Sequence, residues 1–201
     1  MISTIIRIVF VAIVGYLLGN ISPARILAKM NGVDITKEGS GNPGTTNVIR
    51  TLGIQAGIIT FVIDVLKGFI AVAFGTAFAW QWGAYAAFVG VLLGHCFPVL
   101  YKFKGGKGVA TTLGAALSLC WPAATLAFFV GVLVLLVCKK MSVGSIFAAI
   151  SFPLFTIKIA PDLLIFASIV AIFIIITHIP NIKRIMSGEE PQLKVGGTNQ
   201  K

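Results

Sequence analysis

Acidic side chains are scarce in this sequence, six Asp plus Glu among 201 residues, and charged residues of all kinds reach only 11%. A soluble domain of this length cannot clothe its surface with so few charges, so a water-soluble globular protein is excluded. The same scarcity leaves the polar loops with Asp34, Glu38, Glu189 and Glu190 as their carboxylates. These form no clustered pair that would hold magnesium for phosphoryl transfer from a nucleotide, and no metal or other cofactor is expected. Cysteine is equally thin. Cys96, Cys120 and Cys138 are odd in number, widely spaced and set in or beside apolar runs, which argues against a disulfide framework or a zinc site. No internal repeat, low-complexity tract or Walker-type G-x-x-x-x-G-K-[ST] spacing is present either.

What the chain has instead is apolar length. Hydrophobic residues make up 57% of it, and runs long enough to span a bilayer, or nearly so, cover 2–28, 53–78, 83–100, 109–120, 122–138, 142–157 and 163–179. The first continues into polar sequence without a small-residue cleavage site and reads as a retained span, not a signal peptide. Lysine and arginine test the count independently. Arg25, Lys29, Lys37 and Arg50 follow the first run; Lys102, Lys104 and Lys107 the third; Lys139 and Lys140 the fifth; and Lys183, Arg184, Lys194 and Lys201 the last. Of the alternate connections, those around Trp80 to Trp82 and Leu119 to Trp121 hold no cation and the third only Lys158 beside Asp162, while the amino end has Arg7 alone; the tryptophans read as interface anchors. The expected fold is an all-α integral membrane protein of seven transmembrane helices, some short or broken, with its amino terminus outside and its carboxyl terminus cytoplasmic. Residues 1–190 form one membrane domain, and 191–201 a polar tail.

Three segments carry chemistry, all on the face marked by the cations. In KEGSGNPGTTNVIR, Gly39, Gly41 and Gly44 permit turns that bare N–H groups, Ser40, Asn42, Thr45, Thr46 and Asn47 add short donors, and Arg50 adds a planar cationic fork. Such a loop suits an anion; a polar turn capping the second span is the alternative. In GHCFPVLYKFKGGKGVATTLG, Lys104, Gly105, Gly106, Lys107 and Gly108 place two cations around flexible backbone at a helix start, where a phosphate is favoured. In ITHIPNIKRIMSGEE, His178, Asn181, Lys183 and Arg184 arrive at the same face. Two loops suited to phosphate suggest two phosphorylated partners held together for a transfer. Asp64 and Lys67, three apart on one helix face, read as an ion pair inside the protein. The basic residues are split among short loops, so nucleic acid is not a partner.

Taken in order, GSGNPGTTN with Arg50, GHCFPVLYKFKGGKGVATTLG, and H-x-x-N-I-x-R with Gly188 and Glu190 resemble the three cytoplasmic motifs of the bacterial membrane acyl-phosphate:glycerol-3-phosphate acyltransferases, the PlsY family, across nearly the whole chain. The resemblance implies transfer of a fatty acyl group from acyl phosphate to the sn-1 hydroxyl of glycerol 3-phosphate, giving lysophosphatidic acid and phosphate. It implies the bacterial cytoplasmic (inner) membrane, with the active site on its cytoplasmic face, and membrane lipids and the soluble enzyme that makes acyl phosphate as partners. It also implies catalytic roles for Ser40, Arg50, Lys107, His178 and Asn181. Substrate binding then falls to Gly39, Gly41, Asn42, Thr46, Asn47, Lys104, Gly105, Gly106, Gly108 and Ser145, and Glu190 is structural. Either His178 or the donor's own phosphate takes the proton, and no covalent acyl-enzyme is required. The His-x4-Asp arrangement of soluble-type glycerolipid acyltransferases is missing. Asn20, Thr45 and Pro180 depart from the family pattern, and the proline is expected to alter how His178 relates to Asn181. On the residues alone, two other classes compete. An organophosphate transporter should carry polar residues to the midplane and an inverted repeat, and an anionic-lipid scaffold has no need of Ser40, Asn42 and Asn47 among glycines.

Overall fold

The structure is a computed structural model that describes residues 2–193, so most of the expected polar tail, 194–201, lies outside the described residues. Every regular element among the described residues is helical: α1 Ile2–Gly19, α2 Pro23–Met30, α3 Thr45–Leu52, α4 Ile54–Cys96, α5 Val109–Cys138, α6 Met141–Ile159, α7 Leu164–Thr177 and α8 Ile179–Met186, with short 3-10 turns at Val99–Tyr101 and Pro161–Leu163. Four stretches are long and apolar enough to cross a membrane, Ile2–Met30, Ile54–Tyr101, Val109–Cys138 and Met141–Ile159. The pair Pro161–Thr177 and Ile179–Met186, bent by 57°, makes a fifth if taken as one span.

The second and third apolar runs thus lie in one helix, α4, and the fourth and fifth in another, α5, but both helices are broken. Ala79 (φ −148°, ψ 30°) and Trp80 (φ 50°, ψ −140°) interrupt α4, and Cys120 (φ −154°, ψ 80°) interrupts α5. Pro122 accounts for the second break, because it offers no N–H to the turn before it and crowds the preceding backbone. No proline marks the first. There the two arms of α4 fold back on one another, close enough that a Cβ on Gly75 would strike the carbonyl oxygen of Gly83.

The chain forms two compact units, Met1–Leu119 and Cys120–Leu193. In the first, α1 lies against the second arm of α4 with backbone nearly touching backbone: a side chain at Gly94 would overlap the Tyr16 carbonyl, and one at Gly19 the Val91 carbonyl. The first arm of α4 meets the start of α5 in the same manner, Gly68 against Thr111 and Gly114 against Val65. Lipid supplies no hydrophobic drive between such helices, so close approach at small residues supplies dispersion instead. The bulky apolar side chains face outward; Ile2, Ile5, Ile6, Val9, Ile13 and Leu17 of α1 are all exposed, whereas Ala71, Ala84, Ala87 and Ala115 are buried. In the second unit, Gly131 of α5 and Gly144 of α6 make a similar contact, and α6 packs on α7.

Candidate active site

The first motif folds as a loop closed by its own asparagine. Asn47 is 1% exposed; its Oδ1 accepts from the Ser40 N–H at 2.9 Å, and its Nδ2 donates to the carbonyls of Glu38 (2.9 Å) and Ile35 (3.2 Å). Gly39, at φ +55°, has the Asn47 amide where its side chain would be, so only glycine fits. The Gly41 N–H is turned to the Glu38 carbonyl, and Asp34 accepts from both the hydroxyl and the N–H of Thr36, which hold its carboxyl below the usual carboxylate range. Much of the donor capacity expected of this loop therefore goes into shaping it. Ser40 stays exposed, and α3 begins at Thr45 with the N–H groups of Thr45 and Thr46 outside the helical ladder. Thr46 and Arg50, four residues apart, share one face of that helix, and Asn42 sits half-buried just ahead of it.

α2 joins this loop to the second. Ser22 and Pro23 start it, proline costing nothing at a first helical position, and Ala24 and Ala28 pack with Val48 of the first motif and with Ile35 just before it in one small core. On another face, Arg25 donates through Nη2 to the carbonyl of Lys104 at 2.6 Å and lies 4.6 Å over the Tyr101 ring. The turn before Lys104 is further fixed from α1. The Tyr16 hydroxyl donates to Phe97 O (2.8 Å) and accepts from the Val99 N–H (3.1 Å), and Asn20 Oδ1 accepts from the Leu100 N–H (3.3 Å).

Within the second loop the two central glycines look inward. The Gly105 N–H donates to Cys96 O and the Gly106 N–H to His95 O, each at 3.1 Å, so these two groups are not directed at an anion as expected. Lys104 is exposed, Lys107 half-buried, and Gly108 (φ +83°) begins α5, whose first N–H groups at Val109 and Ala110 precede the ladder opened by Thr112 to Gly108. Beneath the loop lies a polar cluster. Lys67 Nζ is 2.7 Å from Asp64 Oδ1, the expected ion pair, and 2.9 Å from His95 Nδ1, and it donates to Gly19 O (3.1 Å) and Ile21 O (2.7 Å). Thr111 Oγ1 is 3.1 Å from the same His95 nitrogen.

The third motif belongs to the second unit. His178 is buried, with Nδ1 2.8 Å from Ile174 O; a carbonyl only accepts, so this nitrogen carries a proton. Pro180 falls in the first turn of α8, where a missing N–H is harmless, and the chain bends by 57° just before it, between His178 and Asn181. Asn181 Nδ2 donates to Glu190 Oε1 (2.7 Å) and Arg184 Nε to Oε2 (2.8 Å), so Asn181 clasps the returning chain. Burial of Glu190 favours the neutral acid, yet the bonds from Asn181 and Arg184 outweigh it and hold the carboxyl below its ordinary range. Ser145, on α6, gives its hydroxyl to Met141 O at 2.9 Å. Arg25, Asn20 and Tyr16 hold the second loop, a role the sequence reading assigned to none of them: Arg25 was one loop cation among others, and Asn20 stood out only as a departure from the family pattern.

A family model described as glycerol-3-phosphate acyltransferase matches residues 9–188. The glycerol-3-phosphate acyltransferase of Clostridioides difficile (strain 630) is 42% identical over 193 residues, 92% of this chain and 95% of that one. Its counterpart in Alkaliphilus metalliredigens (strain QYMF) is 39% identical, over 91% and 94%. Among solved structures, PlsY (YgiH), an integral membrane glycerol 3-phosphate acyltransferase in its glycerol 3-phosphate form, superposes with a TM-score of 0.88 at 37% identity, covering 93% of this chain and 96% of that one. The lysophosphatidic acid form of PlsY gives 0.86 at 36%, over 94% and 96%. With motifs, helices and coverage in agreement, the chain belongs to the glycerol-3-phosphate acyltransferase (PlsY) family of integral membrane proteins, and it is an acyltransferase.

Proposed function

We propose that this acyltransferase moves a fatty acyl group from acyl phosphate to the sn-1 hydroxyl of glycerol 3-phosphate, releasing lysophosphatidic acid and inorganic phosphate, by direct attack. The observation that carries the reading is the bridging of two anion-suited loops by one helix: α2 packs on the first motif through Ala24 and Ala28 and grips the second through Arg25 and Lys104 O. Two phosphorylated substrates need two such cradles side by side. A transporter of one anion needs one.

Acyl phosphate is a mixed anhydride with a good leaving group. The protein has chiefly to align the glycerol hydroxyl with the carbonyl carbon and to neutralise the departing phosphate. As the hydroxyl oxygen forms its bond to that carbon, the anhydride C–O bond breaks and the electron pair leaves on phosphate. Arg50 and Lys107 carry most of the charge stabilisation, and Ser40, Thr46, Lys104, Gly108 and the open helix starts of α3 and α5 position the two phosphates. Gly39, Gly41, Asn42, Asn47, Gly105 and Gly106 serve binding by holding the loops in shape. His178, Asn181 and Ser145 enter on resemblance, and either His178 or the donor's own phosphate takes the hydroxyl proton.

The breaks in α4 and α5 support a reading in which their arms are separate spans, seven in all; with the alternation of basic connections this sets the amino terminus outside and the site at the cytoplasmic face of a bacterial inner membrane. The soluble enzyme that makes acyl phosphate is the expected partner. The test gives the purified protein acyl phosphate and labelled glycerol 3-phosphate in lipid. Labelled lysophosphatidic acid is expected. Uptake of label into sealed vesicles without product refutes the reading in favour of transport, and an acylated Ser40, Cys96 or His178 refutes direct attack.

A further inference from the structure

His95 lies under the second loop, and its surroundings leave its ring little choice. The Lys67 ammonium, held by Asp64 and by the carbonyls of Gly19 and Ile21, has only protons to offer, so at 2.9 Å the Nδ1 of His95 accepts. The Thr111 hydroxyl, 3.1 Å away, can donate to the same nitrogen. Asp64 Oδ1 lies 3.4 Å from Nδ1, beyond the Lys67 and Thr111 contacts, and 2.7 Å from the Lys67 ammonium as its ion-pair partner. The ring proton therefore resides on Nε2. That edge faces the loop: a side chain added at Gly106 would collide with Nε2 itself, and the same glycine donates its N–H to the His95 carbonyl. Gly105 rests on Cys96 O beside it.

We propose that His95, locked as the Nε2–H tautomer by the buried Asp64–Lys67–Thr111 cluster, is a positioning residue for the reaction: it seats Gly105 and Gly106 and so sets the geometry of Lys104 and Lys107. The cluster is more than helix glue. A buried ion pair holds helices no better than packed apolar side chains of the same volume, but it can fix the orientation and proton of a neighbouring ring, which apolar groups cannot. It also accounts for glycine at 105 and 106 by something other than bare N–H groups, since both donate inward and neither leaves room for a Cβ. The functional half of the proposal rests on the second loop being a substrate-phosphate loop.

The chain has two histidines, so an imidazole 15N spectrum of the full-length protein in micelles shows two rings, and loss of one in His95→Gln assigns it. A neutral His95 protonated at Nε2 is expected, with the fixed tautomer lost in the Asp64→Asn/Lys67→Met double variant, which removes the pair without stranding a charge. A wild-type proton on Nδ1, or a mixture of tautomers, overturns the proposal. In the acyl-transfer assay, glutamine places an amide near the Nε2 position and asparagine reaches only that of Nδ1. His95→Asn should lose roughly 100-fold in kcat/KM, as a misplaced loop does, and His95→Gln should recover most of it. Equal losses, or none, overturn it. A wild type that makes no lysophosphatidic acid refutes the proposed function instead and leaves the tautomer to decide the rest.

Discussion

Removing the guanidinium of Arg25 should uncouple the second loop from the first without unfolding the protein. Arg25 makes two contacts to the loop segment, a 2.6 Å bond to Lys104 O and a stack on Tyr101. A hydrogen bond from a charged donor contributes about 1.5–3 kcal/mol, and the lower end applies because this one is solvent-exposed. The cation–π contact adds about 0.5–1 kcal/mol. Arg25→Ala should thus cost about 2 kcal/mol in holding the loop, which is about 30-fold in kcat/KM if the loop must be placed for every turnover. Arg25→Lys keeps the charge but loses the planar fork and the stack, and should fall between. The assay is steady-state formation of lysophosphatidic acid in lipid, with the melting temperature of each variant as control. Tyr101→Ala completes a double-mutant cycle, in which a coupling of about 0.5–1 kcal/mol is expected between contacting residues. Arg25→Ala with unchanged kcat/KM, or coupling indistinguishable from zero, would refute the bridging role of α2.

Asn47→Asp keeps the acceptor for Ser40 N–H but loses both donated bonds, to Ile35 O and Glu38 O; a loss of roughly 100-fold in kcat/KM is expected, checked in the same assay. Gly94→Ala drives a methyl into the Tyr16 carbonyl at the α1–α4 contact and should cost about 1–3 kcal/mol, read as a lower melting temperature with KM unchanged. Glu190, whose folded carboxyl titrates below its unfolded value, stabilises the protein above about pH 4.5 and loses that contribution as pH falls through the lower folded value. Melting temperature of the wild type should drop on acidification through this window, and Glu190→Gln should lower it at neutral pH while flattening the drop.

The apolar spans were legible because a bilayer demands about twenty apolar residues in a row, and nothing else in the chain satisfies that. Both breaks fall at gaps between the apolar runs, but only one has its cause in the local sequence. Pro122 announces the interruption at Cys120, whereas Ala79 and Trp80 sit in a short Trp-Gln-Trp stretch whose sequence does not separate a loop from a kinked helix. The two polar loops were legible as places, since glycines and small polar residues between apolar runs have few other uses. Their internal economy was not. Asn47 has the same side chain as Asn42 in the same segment, and only the folded path reveals that its amide is spent on Ser40, Ile35 and Glu38. Likewise the inward N–H groups of Gly105 and Gly106 depend on how the end of α4 passes beneath them, a long-range fact no spacing encodes. Pro180 was legible as a helix boundary, and the chain bends by 57° there, between α7 and α8.

The inward turn of those glycines makes sense once the helix ends are considered together. A helix presents unpaired carbonyls and partial negative charge at its C-terminus, which would repel a phosphate, and bare N–H groups with positive charge at its N-terminus, which attract one. In the first unit the C-terminal ends near the second loop are each covered by donors: Gly19 O and Ile21 O by Lys67, His95 O and Cys96 O by Gly106 and Gly105. Lys104 O, within the loop, is covered by Arg25. The start of α3, whose last turn carries Arg50, and the start of α5, preceded by Lys107, are left outside the helical ladders. Under the proposed function, selectivity for an anion there follows as much from acceptors silenced as from donors offered. A buried lysine that only paired with Asp64 would not need two backbone carbonyls as well.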